Sequence, residues 1–129
     1  LTYDVFILSK GAKAIPNVVL SKALNDAVVT PPVAYYPAHM APNALQFIAN
    51  KQWPSMYQNG AFIAFHGSWN RSPQPQEGYY VVFQPFKDGK PYGKWEIFAD
   101  GFAGANKSPG KAEHRPCGLA LGADGALYI

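Results

Sequence analysis

The side chains best suited to holding a polar group in place are gathered in three short stretches of this sequence. His39 stands alone, His66 opens the stretch His-Gly-Ser-Trp-Asn-Arg that ends at Arg71, and His114 is followed directly by Arg115. These positions include every histidine and every arginine of the chain. Imidazole can donate or accept a hydrogen bond, and guanidinium presents a planar fork of donors, so a binding site is the chemistry to consider first.

Other chemistries would need residues at recognisable spacings. The three histidines are far apart in the sequence and carry no known metal-ligand spacing, so no metal site is predicted. Ser68, between Gly67 and Trp69, is the one candidate nucleophile. Neither a nucleophile elbow nor a Ser-His-Asp order accompanies it, so a hydrolytic triad is not predicted.

Several of these residues also have an interpretation without function. A lone histidine at a strand end is more often structural than functional. Arg115 could pair with Glu113 or Asp100, and Trp69 could be packing at a rim. Cys117, the single cysteine, rules out an internal disulfide and is predicted to be a small core residue at the start of a buried strand.

Composition and charge bound the fold class and the partners. The chain has 129 residues, and with 48% apolar and 15% charged residues it can bury a core. Aromatic residues at 15%, with 12 glycines and 12 prolines, favour short strands and tight turns. The net charge of +3 is scattered rather than clustered, and no run approaches about 18 apolar residues. Neither a nucleic-acid partner nor a membrane span is predicted.

The order of the apolar segments predicts a four-stranded antiparallel unit, with its strands joined in sequence order, over residues 43–102. Of its four segments, the middle two are apolar throughout and the last alternates charged and apolar residues. A continuous apolar run indicates a strand covered on both faces, and alternation indicates a half-exposed strand. This gradient is typical of one β-propeller blade, so we predict an all-β fold. The predicted strands are 43–49, 61–65, 79–86 and 94–99.

A short repeat favours a propeller over a β-sandwich, which would give a similar number of strands. His39-Met-Ala-Pro and His114-Arg-Pro each precede an alternating segment, and Asp124-Gly125 predicts a hairpin turn after the second of these. A second blade is therefore expected to start at about residue 114. Val33–Tyr36 is predicted to be the outer strand of the preceding blade. One blade with parts of its two neighbours does not complete a common core, so we expect residues 31–129 to be a partial propeller domain.

Residues 1–30 form a poorly defined N-terminal segment in this interpretation. Val5–Leu8 is compatible with a short strand, and Val18–Val29 carries a loose helical pattern. No initiator methionine and no signal-peptide pattern are present, so the chain is expected to be processed or incomplete at its start.

Strand direction places the polar stretches on one face of the predicted blade. Because successive strands alternate in direction, the loops before the first strand and after the second strand lie on the same face. His39, the stretch 66–71 and His114-Arg115 all fall in loops of this kind. Lys51, Lys87 and Lys90 fall in the turns of the other face. Neighbouring strands lie about 4.8 Å apart, so the polar loops should converge near the mouth of the propeller channel.

The specific motif is His66-Gly-Ser-Trp-Asn-Arg71 followed by Gly78-Tyr-Tyr-Val-Val. It resembles the sorbosone and fungal pyranose dehydrogenase branches of the propellers that use pyrroloquinoline quinone (PQQ). The segments His39-x-Ala-Pro and Arg115-Pro-x-Gly-Leu-Ala, with Asp124-Gly125, match further positions of that family. The resemblance covers about residues 31–129.

The resemblance implies a six-bladed propeller that holds PQQ and oxidises a sugar or sugar aldehyde, with the quinone as hydride acceptor. The cofactor carries three carboxylates and an ortho-quinone, for which arginine forks and cationic donors are suited. The implied catalytic base lies in a blade outside this stretch, and calcium is implied only for the full-length protein. The implied cofactor-binding residues are His39, His66, Asn70, Arg71 and Arg115.

The same resemblance implies a periplasmic or secreted oxidoreductase. Its partners would be a sugar or aldehyde substrate, an electron acceptor such as a cytochrome or quinone, and the rest of the propeller. The 129 residues alone are expected to be inactive. The alternatives are a propeller module that binds carbohydrate or protein without catalysis and, less favoured, a calcium-dependent lactonase-like hydrolase.

Overall fold

The computed structural model of the protein describes residues 32–129, and its regular structure there consists of strands and one short 3-10 turn. A sheet of five strands is followed by a separate two-stranded hairpin. The strands are β1 (Pro42–Ala49), β2 (Asn59–Phe65), β3 (Tyr80–Lys87), β4 (Lys90–Pro91), β5 (Glu96–Ala99), β6 (Ala120–Leu121) and β7 (Leu127–Tyr128), with the 3-10 turn at Ser55–Tyr57.

The first sheet is an antiparallel meander in which β2 and β3 are central. β1 pairs with β2, β2 pairs with β3, and β3 pairs with β5, all antiparallel. β4 adds a short pairing to the end of β3, through Phe86 with Pro91 and Lys87 with Lys90. The predicted four-stranded blade is confirmed, and β4 is the element that the sequence pattern did not indicate. The fold is all-β, with the strand arrangement of a propeller blade.

The burial of the strands follows the predicted gradient. β2 is buried from Gly60 to Phe65, and β3 is buried from Tyr80 to Gln84. β5 is exposed or half-buried throughout. A strand covered on both faces needs apolar side chains at every position, which is why the two continuous apolar runs became the centre of the sheet.

Side chains of the two central strands alternate between two hydrophobic clusters, one on each face of the sheet. The first cluster contains Met40, Ile63, Phe65, Tyr80 and Val82, with Tyr36 and Trp95 against it. The second contains Ile48, Phe62, Ala64, Val81 and Phe83. Burying each of the large side chains contributes roughly 1.5–3 kcal/mol, so these two clusters supply most of the driving force for this unit.

The predicted second hairpin is present, but its first strand begins only at Ala120 and both of its strands are short. β6 pairs antiparallel with β7 around the turn that contains Asp124-Gly125. One Asp124 carboxylate oxygen accepts the Ala126 N–H at 3.0 Å, and the other accepts the Tyr128 hydroxyl at 2.9 Å. These two hydrogen bonds stabilise the carboxylate, the backbone bond most, and lower the pKa of Asp124.

Two expectations from the sequence are wrong. Val33–Tyr36 is not a strand. Prolines 31, 32 and 37 flank it and lack the N–H that a ladder needs, and the Tyr36 ring packs instead against Phe65, 5.2 Å between centroids. Cys117 is exposed rather than buried, because its strand begins only at Ala120 and residue 117 lies in the preceding loop.

The compact unit of the described chain runs from Tyr36 to Ile129. The possible strand at Val5–Leu8 and the possible helix at Val18–Val29 lie outside the described residues. Within residues 32–129, no helix is long and apolar enough to cross a membrane.

Candidate functional site

One edge of the sheet carries the polar stretches that the sequence singled out. β1 starts at this edge, β2 ends there and β3 starts there, so residues 39–41 and 66–79 lie side by side. Residues 115–116 join them ahead of the second hairpin. We call these three segments the site edge. The argument from strand direction is therefore confirmed for residues 39–41 and for the 66–79 loop, and Arg115 meets that loop through its side chain.

Two backbone hydrogen bonds tie the beginning of the 66–79 loop to the segment before β1. The His66 N–H donates to the Ala41 carbonyl at 2.8 Å, and the Gly67 N–H donates to the Met40 carbonyl at 3.0 Å. Both His39 and Ala41 have positive φ, at 67° and 55°. Residues with a Cβ adopt this conformation at a cost, so the hydrogen bonds and the burial of Met40 must hold the segment in place.

Ser68 joins the two ends of the 66–79 loop through hydrogen bonds in its interior. Its side chain is fully buried, and its hydroxyl donates to the Gln76 side-chain oxygen while accepting the Glu77 N–H at 2.9 Å. Its own backbone N–H donates to the Glu77 carbonyl at 2.9 Å. A buried hydroxyl with both a donor and an acceptor partner has a structural role, so the structure does not support Ser68 as a nucleophile.

The two glycines of the motif allow the loop to pack closely on itself. Gly67 and Gly78 have φ of 99° and 92°. A Cβ at Gly67 would lie 2.6 Å from the Tyr79 ring, and one at Gly78 would lie 2.9 Å from the Gly67 Cα. Glycine is required at both positions by conformation and by space, so the spacing of the motif reflects loop geometry.

Arg115 is held against this loop by two hydrogen bonds and two aromatic rings. Its Nε donates to the His66 carbonyl at 3.0 Å, and its Nη2 donates to the Gly67 carbonyl at 2.7 Å. The guanidinium carbon lies 5.2 Å from the centre of the Trp69 ring and 5.3 Å from that of the Tyr79 ring. Arg115 therefore braces the loop by its charge and its planar shape, rather than through Glu113 or Asp100.

The same loop fixes the His66 ring. His66 Nδ1 lies 3.1 Å from the Pro116 carbonyl, which can only accept a hydrogen bond. Nδ1 therefore carries the proton. In the neutral ring, Nε2 is then the acceptor, so the structure selects one tautomer of His66.

Arg71 lies at the far end of the loop and has partners of its own. Its Nη1 donates to the Pro75 carbonyl at 3.1 Å and lies 3.7 Å from a Glu77 carboxylate oxygen. This pair is partly exposed, so its contribution to stability is small.

Burial raises the pKa of Tyr80, and the Glu77 carboxylate nearby raises it further.

The structure brings some of the predicted site residues together and leaves others apart. His66 and Arg115 are in direct contact, whereas His39, Asn70 and Arg71 share the edge without bonding to that pair. His39 and Asn70 are exposed. Trp69 is 69% exposed and contacts Arg115, which differs from the expected packing at a rim.

Sequence reasoning overlooked two residues of the site edge. Tyr79 was assigned to the strand, but it has a φ of 64°, and its hydroxyl donates to the Ser68 carbonyl at 2.7 Å. The Pro116 carbonyl that binds His66 is likewise invisible in a side-chain pattern. In the sequence, the one indication for Tyr79 is that it directly follows Gly78. Both residues have positive φ in the structure.

No group of three or more histidine, cysteine, aspartate or glutamate side chains that could hold a metal occurs in residues 32–129. The N–H donors that remain at the site edge belong to guanidinium groups and the backbone, and the neutral ring of His66 presents an acceptor at Nε2. The chemistry of this set suits carboxylate and carbonyl oxygens of an organic ligand more than a hard cation.

The profile of the TrAA12-like family matches residues 14–129, which is most of the chain. This chain belongs to the TrAA12-like family. The family is related to PQQ-dependent pyranose dehydrogenases, so the resemblance seen in the motifs is confirmed. The match also extends upstream of residue 31, where the motif comparison had stopped.

A solved structure and a curated sequence are similar to this family member. The PQQ domain of pyranose dehydrogenase from Coprinopsis cinerea, in its holo form, aligns with a TM-score of 0.63 and 30% identity, over 82% of this chain and 28% of that one. An uncharacterised protein of Borreliella burgdorferi is 42% identical over 52 residues, which are 40% of this chain and 14% of that protein. The matched part of the chain thus spans less than a third of the length of either.

Proposed function

We propose that this chain contributes part of the binding site for PQQ in a quinoprotein dehydrogenase that oxidises a sugar or a sugar aldehyde. The observation that carries the proposal is the arrangement of Arg115 beside His66 at the site edge. Membership of the TrAA12-like family and the likeness to a PQQ domain support it.

The donors of Arg115 fit a ligand that carries carboxylates. A guanidinium has five N–H donors, and in the described structure Nε uses one and Nη2 uses another on the loop carbonyls. Three donors are left for a bound oxygen, and bidentate pairing needs only two. The loop carbonyls fix the plane of the fork before a ligand arrives, which lowers the entropy lost on binding.

The other predicted residues would act around this arginine. His66 in its neutral tautomer presents an acceptor at Nε2, so it would bind a hydroxyl or N–H of cofactor or substrate. Arg71 shares its charge with Glu77, which makes it a weaker partner for a carboxylate than Arg115. His39 and Asn70 are exposed at the same edge and complete the proposed cofactor-binding set.

When bound, PQQ would accept the hydride from the substrate carbon, and the protein residues would hold and polarise it. Donors aimed at the quinone oxygens favour the charge that develops there. The base that removes the substrate proton is not assigned to this chain. For the full-length protein, the proposal includes a six-bladed architecture and a periplasmic or secreted location. It also includes the substrate sugar, calcium and an electron acceptor such as a cytochrome or quinone.

A non-catalytic propeller module that binds carbohydrate is the second candidate. The exposed indole of Trp69 favours it, because aromatic rings with one apolar face in solvent are frequent at recognition surfaces. Such a module would bind sugar through the same edge without PQQ.

A titration of the full-length apo-protein with PQQ separates the two candidates. The dehydrogenase proposal predicts saturable binding with a change in the quinone absorbance, and bleaching of the bound quinone by sugar, with turnover of a dye acceptor. Sugar binding by calorimetry in the absence of any PQQ binding would support the module instead. The absence of both would contradict both candidates.

A further inference from the structure

We infer that Tyr79 is a positioning residue that holds the Arg115 guanidinium and the His66–Ser68 backbone in the geometry used for binding. The inference rests on the proposed function, because it assigns a task to a residue that supports the proposed cofactor ligand. It concerns a side chain that the motif reasoning had placed in an ordinary strand.

The hydroxyl and the ring of Tyr79 contact the loop and Arg115. Its ring packs on Gly67, its hydroxyl donates to the Ser68 carbonyl at 2.7 Å, and its centroid lies 5.3 Å from the Arg115 guanidinium carbon. Arg115 in turn donates to the His66 and Gly67 carbonyls. The loop, the ring and the guanidinium therefore brace one another in a closed set of contacts.

Tyr79 is fully buried, yet it belongs to neither of the two hydrophobic clusters of the sheet. Its neighbour Tyr80 is part of the first cluster, and Val81 is part of the second. A large ring that is buried away from both clusters does not serve the general packing of the blade. Its burial is accounted for by the loop and the arginine.

The backbone of Tyr79 indicates the same assignment. Its φ of 64° lies in the left-handed region, which is unfavourable for a residue with a Cβ. Glycine would avoid this strain, so the contacts of the Tyr79 side chain must stabilise the structure by more than the strain costs. The conformation turns the chain from Gly78 into β3 while leaving the ring under the loop.

The test uses the full-length protein and the variant Tyr79→Leu, which removes the ring and hydroxyl while keeping a Cβ and so keeping the backbone strain. Phe83→Leu is the matched control, because it truncates a fully buried ring of the second cluster, on the strand that directly follows Tyr79. Tyr79→Phe removes only the hydrogen bond to Ser68.

The first measurement needs no cofactor. Arginine labelling by phenylglyoxal in the apo-protein, mapped by peptide mass spectrometry, should accelerate at Arg115 in Tyr79→Leu and stay unchanged at Arg71. Phe83→Leu should change neither rate. Equal labelling of Arg115 in parent and Tyr79→Leu would overturn the inference, whatever the cofactor does.

The second measurement is the affinity for PQQ. Tyr79→Leu should weaken binding by about 3- to 30-fold, the range expected for loss of a cation–π contact, and Tyr79→Phe should recover most of it. In an Arg115→Ala background, Tyr79→Leu should have little further effect. If the two substitutions weakened PQQ binding independently, so that their fold-changes multiplied in the double variant, the assignment would be contradicted. A positioning residue acts through its arginine and has no separate effect once the arginine is gone.

The two proposals fail separately. If the parent does not bind PQQ but Tyr79→Leu exposes Arg115 to labelling, the proposed function is wrong and the positioning role stands. If the parent binds PQQ and the labelling of Arg115 does not respond to Tyr79→Leu, the positioning role is wrong and the proposed function stands.

Discussion

The two edges of the five-stranded sheet are built from the same strands but differ in how their loops are held. At the site edge, Ser68 is a fully buried polar residue, and the non-glycine residues His39, Ala41 and Tyr79 have positive φ. At the opposite edge, formed by residues 50–58 and 88–89, only Asp88 does, in a two-residue turn where aspartate and glycine are favoured. That edge instead borders an open cavity of about 590 Å³.

The difference shows that backbone strain in the described sheet is concentrated at the site edge. A strained conformation persists only if surrounding contacts fix it, and such conformations concentrate at functional sites. The hydrogen bonds that fix them here converge on the His66 loop from Ala41, from Glu77 and from Arg115. The turns of the opposite edge need no such support, and Lys51, Lys87 and Lys90 are exposed there.

The largest expected effect on stability compares one glycine from each edge. Gly67→Ala should destabilise the full-length protein by about 2–4 kcal/mol, because it adds strain at positive φ and a clash with the Tyr79 ring. Gly89→Ala has the same kind of φ but nothing within 4 Å of its Cβ, so it should cost only about 1 kcal/mol. Urea unfolding of both variants measures the difference. Equal costs would show that the close packing of the site edge does not matter.

A smaller effect is expected from removing the buried hydroxyl of the site edge. Ser68→Ala leaves the Gln76 side chain and the Glu77 N–H without their partner, at a cost of about 1–3 kcal/mol. Ser55→Ala, in the exposed 3-10 turn of the opposite edge, should change stability by less than about 0.5 kcal/mol. Thermal melting checks both, and a loss in Ser55→Ala as large as in Ser68→Ala would remove the contrast between the edges.

The smallest effect is expected at the turn between β6 and β7. Asp124→Ala removes the acceptor of the Ala126 and Tyr128 hydrogen bonds, so the melting temperature should fall slightly, by less than in Ser68→Ala. Because these bonds lower the pKa of Asp124, their contribution is complete above the ordinary aspartate pKa of about 3.9 and is lost as the pH falls below it. Melting curves of parent and variant should therefore differ at pH 7 and converge in acid. A difference that grows in acid would contradict this account of the turn.

The sheet could be predicted from the sequence because burial on both faces leaves a direct trace. The runs at 61–65 and 80–83 are apolar at every position, and within residues 32–129 no other strand is buried along its length. Placing the polar loops at one edge then required only the alternation of strand direction. The short β4 pairing depends on the local geometry after Asp88-Gly89, and two residues carry too little pattern to be seen.

The details of the site could not be predicted because they depend on backbone groups. The resemblance implied that Arg115 binds the cofactor, and no pattern indicated that two of its donors bind the carbonyls of His66 and Gly67. A carbonyl has no residue type, so no pattern in the sequence marks it. Trp69 and Tyr79 were visible as aromatic residues, but their contact with Arg115 depends on a loop conformation set by the glycines.

The most direct test of the account is the affinity of full-length Arg115→Ala apo-protein for PQQ, measured by absorbance titration. Loss of a charge-assisted pair costs roughly 2–5 kcal/mol, so binding should weaken by about 30-fold or more. Arg115→Lys should recover only part of this, since lysine cannot replace the planar fork, and Lys90→Ala at the opposite edge should bind like the parent. A folded Arg115→Ala protein that binds PQQ as tightly as the parent would contradict the assignment of the cofactor to the site edge.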